Sequence, residues 1–227
     1  PRSEAALQSR VQVEIPGAPL GQTLIHAHDP LRLAEDRKSQ LRAEDVGPDV
    51  VDLAGRRRML DVGGGPGTFS ALLTERFDGL AAEVLELDGV AAVAEEILAE
   101  TGAAERVSMI RGDYQTSDFG SGYDVVLMSG MFHRETPATC QQLIARAFDC
   151  LDPGGILIVN DVFTDEDGTT PEFSALFGIT MMLTAPDGCV HADADVASWI
   201  ANAGFGNIDR KPFPPPMPHR VVTGVRP

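Results

Sequence analysis

Residues 60–67, LDVGGGPG, limit what this chain can fold into more than any other stretch. The run from Arg58 to Val62 reads as a short apolar strand. Gly63, Gly64, Gly65 and Gly67 make a turn, and Thr68, Phe69, Ala71, Leu72 and Leu73 open an amphipathic helix. Glycine takes positive φ without a side-chain clash and lets another molecule come close to the main chain. The helix that follows presents unpaired N–H groups at its start. A strand that ends in a glycine turn and feeds a helix is how an open α/β sheet builds a nucleotide site.

Beyond the turn, strand and helix alternate. The patterning predicts strands over 58–62, 82–86, 106–111, 123–128, 156–159, 207–213 and 220–225. It predicts helices over 67–77, 90–101, 137–151, 171–183 and 193–203. Val90, Val93, Ala94, Ile97 and Leu98 recur at helical spacing, and Gly102 closes that helix. The run YDVVLM over 123–128 is apolar throughout, as a central parallel strand is. Pro153, Gly154 and Gly155 read as a turn before the fifth strand, and the proline-dense run from Pro212 to Pro218 reads as a loop between the last two strands. Alternating β and α implies an α/β fold with a mostly parallel sheet, helices on both faces and a final hairpin. The first residues are less patterned. Val11, Val13 and Ile15 alternate weakly before Pro16, a helix is expected over 29–40 behind Asp29 and Pro30, and another over 48–54. The chain therefore divides into an N-terminal helical arm, 1–55, and a main domain, 56–227.

Composition excludes several partners. The formal net charge of −16 disfavours nucleic acid and anionic lipid, although acidity also simply keeps a protein soluble. Cys140, Cys150 and Cys189 show no paired spacing, so neither a metal site nor a disulfide framework is expected, and a reducing, cytoplasmic setting follows. No apolar run reaches the ~18 residues of a membrane span.

The glycine spacing, with Gly63, Gly65 and Gly67 each one residue apart, departs from the dinucleotide pattern GxGxxG. Asp61 stands two residues before the turn, where a carboxylate suits a ligand with a cationic amino group and would repel a pyrophosphate. The alternative for Asp61 is that it ties down the loop. Three further positions follow in order. Glu86 ends the second strand, where a carboxylate can accept from both hydroxyls of a ribose. Asp113 and Tyr114 follow the third, an acceptor for an adenine amino group beside a ring to cover its face. Ser129 and His133 follow the fourth, at the carboxyl edge of the sheet.

The segments LDVGGGPG, EVLELD, RGDY, YDVVLMSGMFH and LDPGGILIVND together resemble class I S-adenosylmethionine-dependent methyltransferases. Within that class they resemble the small-molecule O-methyltransferases of the plant phenolic and bacterial polyketide type, over about residues 56–227. The resemblance implies a Rossmann-like seven-stranded sheet of order 3-2-1-4-5-7-6 with strand seven antiparallel. It implies S-adenosyl-L-methionine as cofactor, held by Asp61, Gly63, Gly64, Gly65, Glu86, Asp113, Tyr114 and Ser129. Gly63 and Gly65 would lie against the methionine part, Glu86 on the ribose, and Asp113 and Tyr114 on the adenine. It implies His133 as general base for a hydroxyl of an aromatic or polyketide-like acceptor, with Asp161 behind it as orienter. A phenol of pKa ~10 facing an imidazole of ~6.5 requires proton transfer to accompany methyl transfer.

The chain departs from the family at two places. Val190 stands where a second acidic orienter is expected, with Asp193 or Asp195 the nearest substitutes, and Arg134, Glu135 and Thr136 replace the tryptophan that usually follows the histidine. Arg134 is read as either a contact for an acidic acceptor or a solvated charge. Phe173, Phe177, Met181 and Met182 are read as either acceptor-pocket lining or core. The family also carries an N-terminal helical domain that dimerises and covers the acceptor. With 55 residues before the main domain, that region is expected to be absent, shortened or cut away, and a homodimer remains an expectation. Three rivals stay open: C- or N-methyl transfer on the same fold, a non-catalytic cofactor-binding subunit, and an NAD-dependent oxidoreductase, the last disfavoured by Asp61 and the glycine spacing.

Overall fold

A computed structural model describes residues 51–212 and 218–227. The β-rich runs become seven strands: β1 (Arg58–Val62), β2 (Ala81–Glu86), β3 (Val107–Arg111), β4 (Tyr123–Ser129), β5 (Leu151–Asp161), β6 (Gly206–Pro212) and β7 (Arg220–Val225). The amphipathic runs become α1 (Thr68–Arg76), α2 (Asp88–Thr101), α3 (Pro137–Cys150), α4 (Glu172–Thr184) and α5 (Asp193–Asn202). The strands form one sheet of order β3-β2-β1-β4-β5-β7-β6. β1 to β5 are parallel, and β7 runs antiparallel to both β5 and β6, as expected.

Alternation along the central strands explains the layering. Side chains of a strand point to opposite faces in turn. Leu60, Val62, Val126, Met128, Leu157 and Val159 face one buried cluster, with Leu143, Ile144 and Ala147 of α3 and Val196 and Ile200 of α5. Met59, Val125, Leu127 and Ile158 face the other, with Leu72 and Leu73 of α1 and Leu98 of α2. Leu53 is fully buried in this second cluster, so the described core reaches back before β1.

Two local expectations fail. Pro153, Gly154 and Gly155 do not end a turn before the strand but lie inside β5. Gly154 donates its N–H to Arg226, and Arg226 donates to the Gly155 carbonyl, so the end of the chain pairs with this segment. The register shift opposite Tyr123 and Val125, with φ 80° at Gly154, takes up the irregularity as a bulge. The helix expected over 48–54 is not present in its described part. Asp52 accepts from the N–H of Ala54 at 2.9 Å, a side-chain turn that diverts the backbone from helix. The helix expected over 29–40 and the alternation over 11–15 lie outside the described residues. Among the described residues no helix is long and apolar enough to cross a membrane.

Leu157 is fully buried in the middle of the sheet. Leu157→Ala should lower unfolding free energy by about 2–5 kcal/mol through lost burial and a residual cavity. Denaturant titration checks this, with a midpoint shift at unchanged slope as the expected result.

Candidate active site

The carboxyl ends of β1, β2, β3, β4 and β5 share one edge of the sheet, and the candidate residues collect there. Asp61, near the end of β1, is 1% exposed and lies directly beneath the glycine turn. A Cβ on Gly64 would stand 2.5 Å from the Asp61 carboxyl carbon and 2.7 Å from Val84, so only glycine fits at that position. One Asp61 oxygen accepts from the Ser70 hydroxyl at 2.7 Å, which ties the first turn of α1 to β1. The other, Oδ1, is buried with no partner among the described residues. Burial pushes this carboxyl from its ordinary value of 3.8 up to about 7, with the nearby Glu86 charge adding to the rise and the Ser70 hydrogen bond opposing it.

Glu86 sits across the turn at the end of β2. Its Oε2 accepts from the Gly65 N–H at 2.9 Å and its Oε1 from the N–H of Leu87 at 2.8 Å. Both oxygens therefore take main-chain donors, and neither has a cationic partner among the described residues. After β3, Asp113 accepts from the Gln115 N–H at 2.8 Å, and its carbonyl accepts from the N–H groups of Thr116 and Ser117, so it holds a turn. The Tyr114 ring lies over Gly63: a Cβ on Gly63, where φ is 67°, would meet the ring at 3.4 Å. Ser129 ends β4, and its Oγ accepts from the Asn160 side-chain amide at 3.0 Å.

After β4 the chain turns at Gly130 into a single 3-10 turn, Phe132–Arg134. His133 Nδ1 stands 2.7 Å from Asp161 Oδ1, and the His133 N–H donates to Asp161 Oδ2 at 3.2 Å. Asp161 is 1% exposed and accepts further from the Val162 N–H at 2.7 Å. A carboxylate on Nδ1 makes that nitrogen the protonated one and leaves Nε2 as the acceptor. The His133 ring meets Phe177 of α4 edge-on, centroids 5.1 Å apart, and Phe177 stacks with Phe173 at 6.0 Å.

The segment from Cys189 to Asp193 braces this turn. The N–H of Cys189 donates to the His133 carbonyl at 3.0 Å. His191 Nε2 stands 3.0 Å from the Phe132 carbonyl and 3.1 Å from the Glu135 carbonyl, and since carbonyls only accept, Nε2 carries the proton. Neither substitute for the second orienter reaches His133. Asp193 is held by Arg210 at 3.0 Å and Arg220 at 2.9 Å, both from the terminal hairpin, and Asp195 is exposed on α5. Arg134 is exposed. Of the four α4 residues singled out in the sequence, Phe177 faces the histidine, Met181 is half-buried and Met182 is 72% exposed, so core packing does not account for Met182.

Sequence reasoning missed four participants. Ser70 and His191 lie outside the segments that carry the resemblance, Asn160 lies within one without being singled out, and only the fold shows their partners. Glu135 did carry a signal, as one of the three residues, Arg134, Glu135 and Thr136, at which the sequence departs from the family. It is 5% exposed and accepts from the Tyr114 hydroxyl and the Gln115 side-chain amide.

A mostly parallel sheet of this strand order, with a glycine turn after β1 and a histidine–carboxylate pair beyond β4 and β5, belongs to a methyltransferase class, and the comparison agrees. The sequence profile of the O-methyltransferase domain family matches residues 32–206, and the chain belongs to that family. It is 31% identical over 176 residues to 3-hydroxy-5-methyl-1-naphthoate 3-O-methyltransferase of Streptomyces sahachiroi, covering 78% of this chain and 51% of that protein. It is 29% identical to L-tyrosine C(3)-methyltransferase of Streptomyces lavendulae, covering 78% and 50%. Among solved structures, the apo form of the S-adenosylmethionine-dependent methyltransferase SibL superposes with a TM-score of 0.74 at 34% identity, over 85% of this chain and 57% of that one. The chain thus spans about half the length of the relatives it matches.

Because the folded state keeps the Asp61 proton up to about pH 7 while the unfolded chain releases it near 3.8, stability falls as pH rises through that window. Asp61→Asn removes this term. The stability of the natural protein relative to Asp61→Asn should therefore drop between pH 4 and 7, by at most about 1.4 kcal/mol per pH unit. Paired denaturant titrations across that range measure the difference.

Proposed function

We propose that this chain is an S-adenosyl-L-methionine-dependent methyltransferase that acts on a hydroxyl of a small aromatic or polyketide-like acceptor. The observation that carries the reading is the His133–Asp161 pair at 2.7 Å, on the same sheet edge as the glycine turn and its carboxylates. The residues present fit the cofactor. A buried carboxylate oxygen without a partner, Asp61 Oδ1, lies under the turn, and a tyrosine ring flanks Gly63. Gly63, Gly64 and Gly65 with Asp61 would hold the amino-acid end, Glu86 the ribose, and Asp113 and Tyr114 the adenine, with Ser129 near the amino-acid end. Glu86 would exchange one main-chain donor for a ribose hydroxyl. Bound there, the cofactor supplies an activated methyl group on a sulfonium.

The protein's own work is alignment and proton removal. Asp161 keeps Nδ1 of His133 protonated and the ring fixed. Nε2 then accepts the acceptor's hydroxyl proton as the oxygen attacks. Phe177, against the His133 ring, and the stacked Phe173 form an aromatic surface beside the histidine, which suits a planar acceptor. A second reading is methylation at carbon of a phenol. The tyrosine C(3)-methyltransferase among the relatives favours it, and the same base serves, since an ionised phenol attacks through oxygen or ring carbon.

The remaining expectations belong to the same reading: residues 1–55 as an arm before a catalytic domain at 56–227, and a homodimer. In support of the dimer, Leu176, Ile179, Met182 and Leu183 on α4 are each more than half exposed, an apolar face that a second copy would cover.

The test is turnover of hydroxylated naphthoates and phenols with methyl-labelled S-adenosylmethionine. His133→Ala should lower kcat about 10²–10⁴-fold, the usual contribution of a general base, while calorimetric cofactor affinity stays unchanged. Asp161→Asn should cause a smaller loss of kcat. Unchanged turnover in His133→Ala would refute the base. Product mass fragmentation separates oxygen from carbon methylation.

A further inference from the structure

Glu135 is a buried carboxylate that the proposed methyl-transfer chemistry does not use. It is 5% exposed, and no salt bridge among the described residues includes it. An ionised carboxylate withdrawn from water is costly unless donors surround it. Here the donors come from the loop after β3. The Tyr114 hydroxyl donates to Oε1 at 2.6 Å, and the Gln115 amide reaches both oxygens at 3.1 Å. Burial first, and then this hydrogen bond, push the Tyr114 hydroxyl well above its ordinary range, so it remains a neutral donor. The other face of Glu135 is equally fixed. Its N–H donates to the Phe132 carbonyl at 3.0 Å, and its own carbonyl accepts from His191 Nε2 at 3.1 Å and lies 3.5 Å from the Cys189 thiol.

These bonds have one geometric result. The Tyr114 ring is held against Gly63, with Met131 Sδ beside the same glycine at 3.6 Å from the position a Cβ would take. A tyrosine on a loop would otherwise turn about its side-chain bonds, and a buried, satisfied polar network specifies one orientation.

We infer that Glu135 is a positioning residue of the donor site: it holds Tyr114 and Gln115 in the arrangement that S-adenosylmethionine binds. This rests on the cofactor reading above and adds to it a carboxylate that does not itself touch the cofactor.

The test is isothermal calorimetry of S-adenosylmethionine and S-adenosylhomocysteine with the full chain and four variants: Glu135→Leu, Glu135→Gln, Tyr114→Phe, and Glu135→Leu with Tyr114→Phe. Glu135→Leu and Tyr114→Phe should each weaken both ligands about tenfold, the scale of one hydrogen bond to a charged group. The double variant should be no weaker than Glu135→Leu by more than about twofold, because the hydroxyl bond that Tyr114→Phe removes is already gone in Glu135→Leu. Glu135→Gln keeps an acceptor for the hydroxyl and should stay within about threefold of the natural protein. The inference is overturned by natural affinity in Glu135→Leu or by losses that multiply in the double variant. It is also overturned if Glu135→Gln falls as far as Glu135→Leu, which would make charge rather than position the cause. If Glu135→Leu does not fold, Tyr114→Phe decides alone, and natural affinity there overturns the inference. If the natural chain binds neither ligand, the cofactor reading itself fails, which separates the two.

Discussion

The site depends on a carboxylate placed where water cannot reach it. Asp61 sits under Gly64, and among the described residues it has a single side-chain hydrogen bond, from Ser70, and an unpartnered second oxygen. That burial leaves no room above it for any side chain, so the turn passes as bare backbone. The Ser70 bond also fixes how α1 leaves β1. Glu86 then joins the end of β2 to the same turn through the Gly65 N–H. Two carboxylates and one hydroxyl thereby set the ends of three elements around one loop. Among the described residues this leaves one buried acceptor unsatisfied directly beneath the turn, at a cost in stability.

The second half of the site follows from strand register. In the parallel pair β4–β5, Ser129 stands opposite Asn160, which places Asp161 just past the end of β4. The chain after Ser129 turns at Gly130, whose N–H donates to the Asn160 carbonyl at 2.8 Å, and brings His133 back over Asp161. The segment before α5 then locks that turn from outside. The Thr164 N–H donates to the His191 carbonyl, and the Asp193 N–H donates to the Thr164 carbonyl. Asp193 therefore anchors the brace through the arginines of the hairpin and is not available to the histidine.

Much of this was legible in the sequence wherever the information is local. Apolar alternation and helical stripes located all seven strands and five helices of the described residues, because burial on a sheet or helix face imposes those periods directly. The glycine turn, Glu86, His133 and Asp161 fall at strand ends, where position along the chain maps onto position along the sheet edge. What stayed hidden depends on distant partners. Gly154 and Gly155 look like a turn until Arg226 pairs with them. Asp193 looks like a substitute orienter until Arg210 and Arg220 reach it. Glu135 gains its meaning only when Tyr114 and Gln115 arrive from another loop.

The 3-10 turn after β4 holds His133 on one side and leads into Glu135 on the other, with Arg134 alone between them. The segment before α5 braces both: the Cys189 N–H donates to the His133 carbonyl and His191 Nε2 to the Glu135 carbonyl. His133 and Glu135 are therefore parts of a single mechanical unit. An insertion between them, or a segment exchanged with a relative that breaks between 133 and 135, would displace both side chains together. α4 meets the same turn from the other side, with the Phe177 ring against the His133 ring. The turn is one braced unit, and α4 packs on it as a separate element.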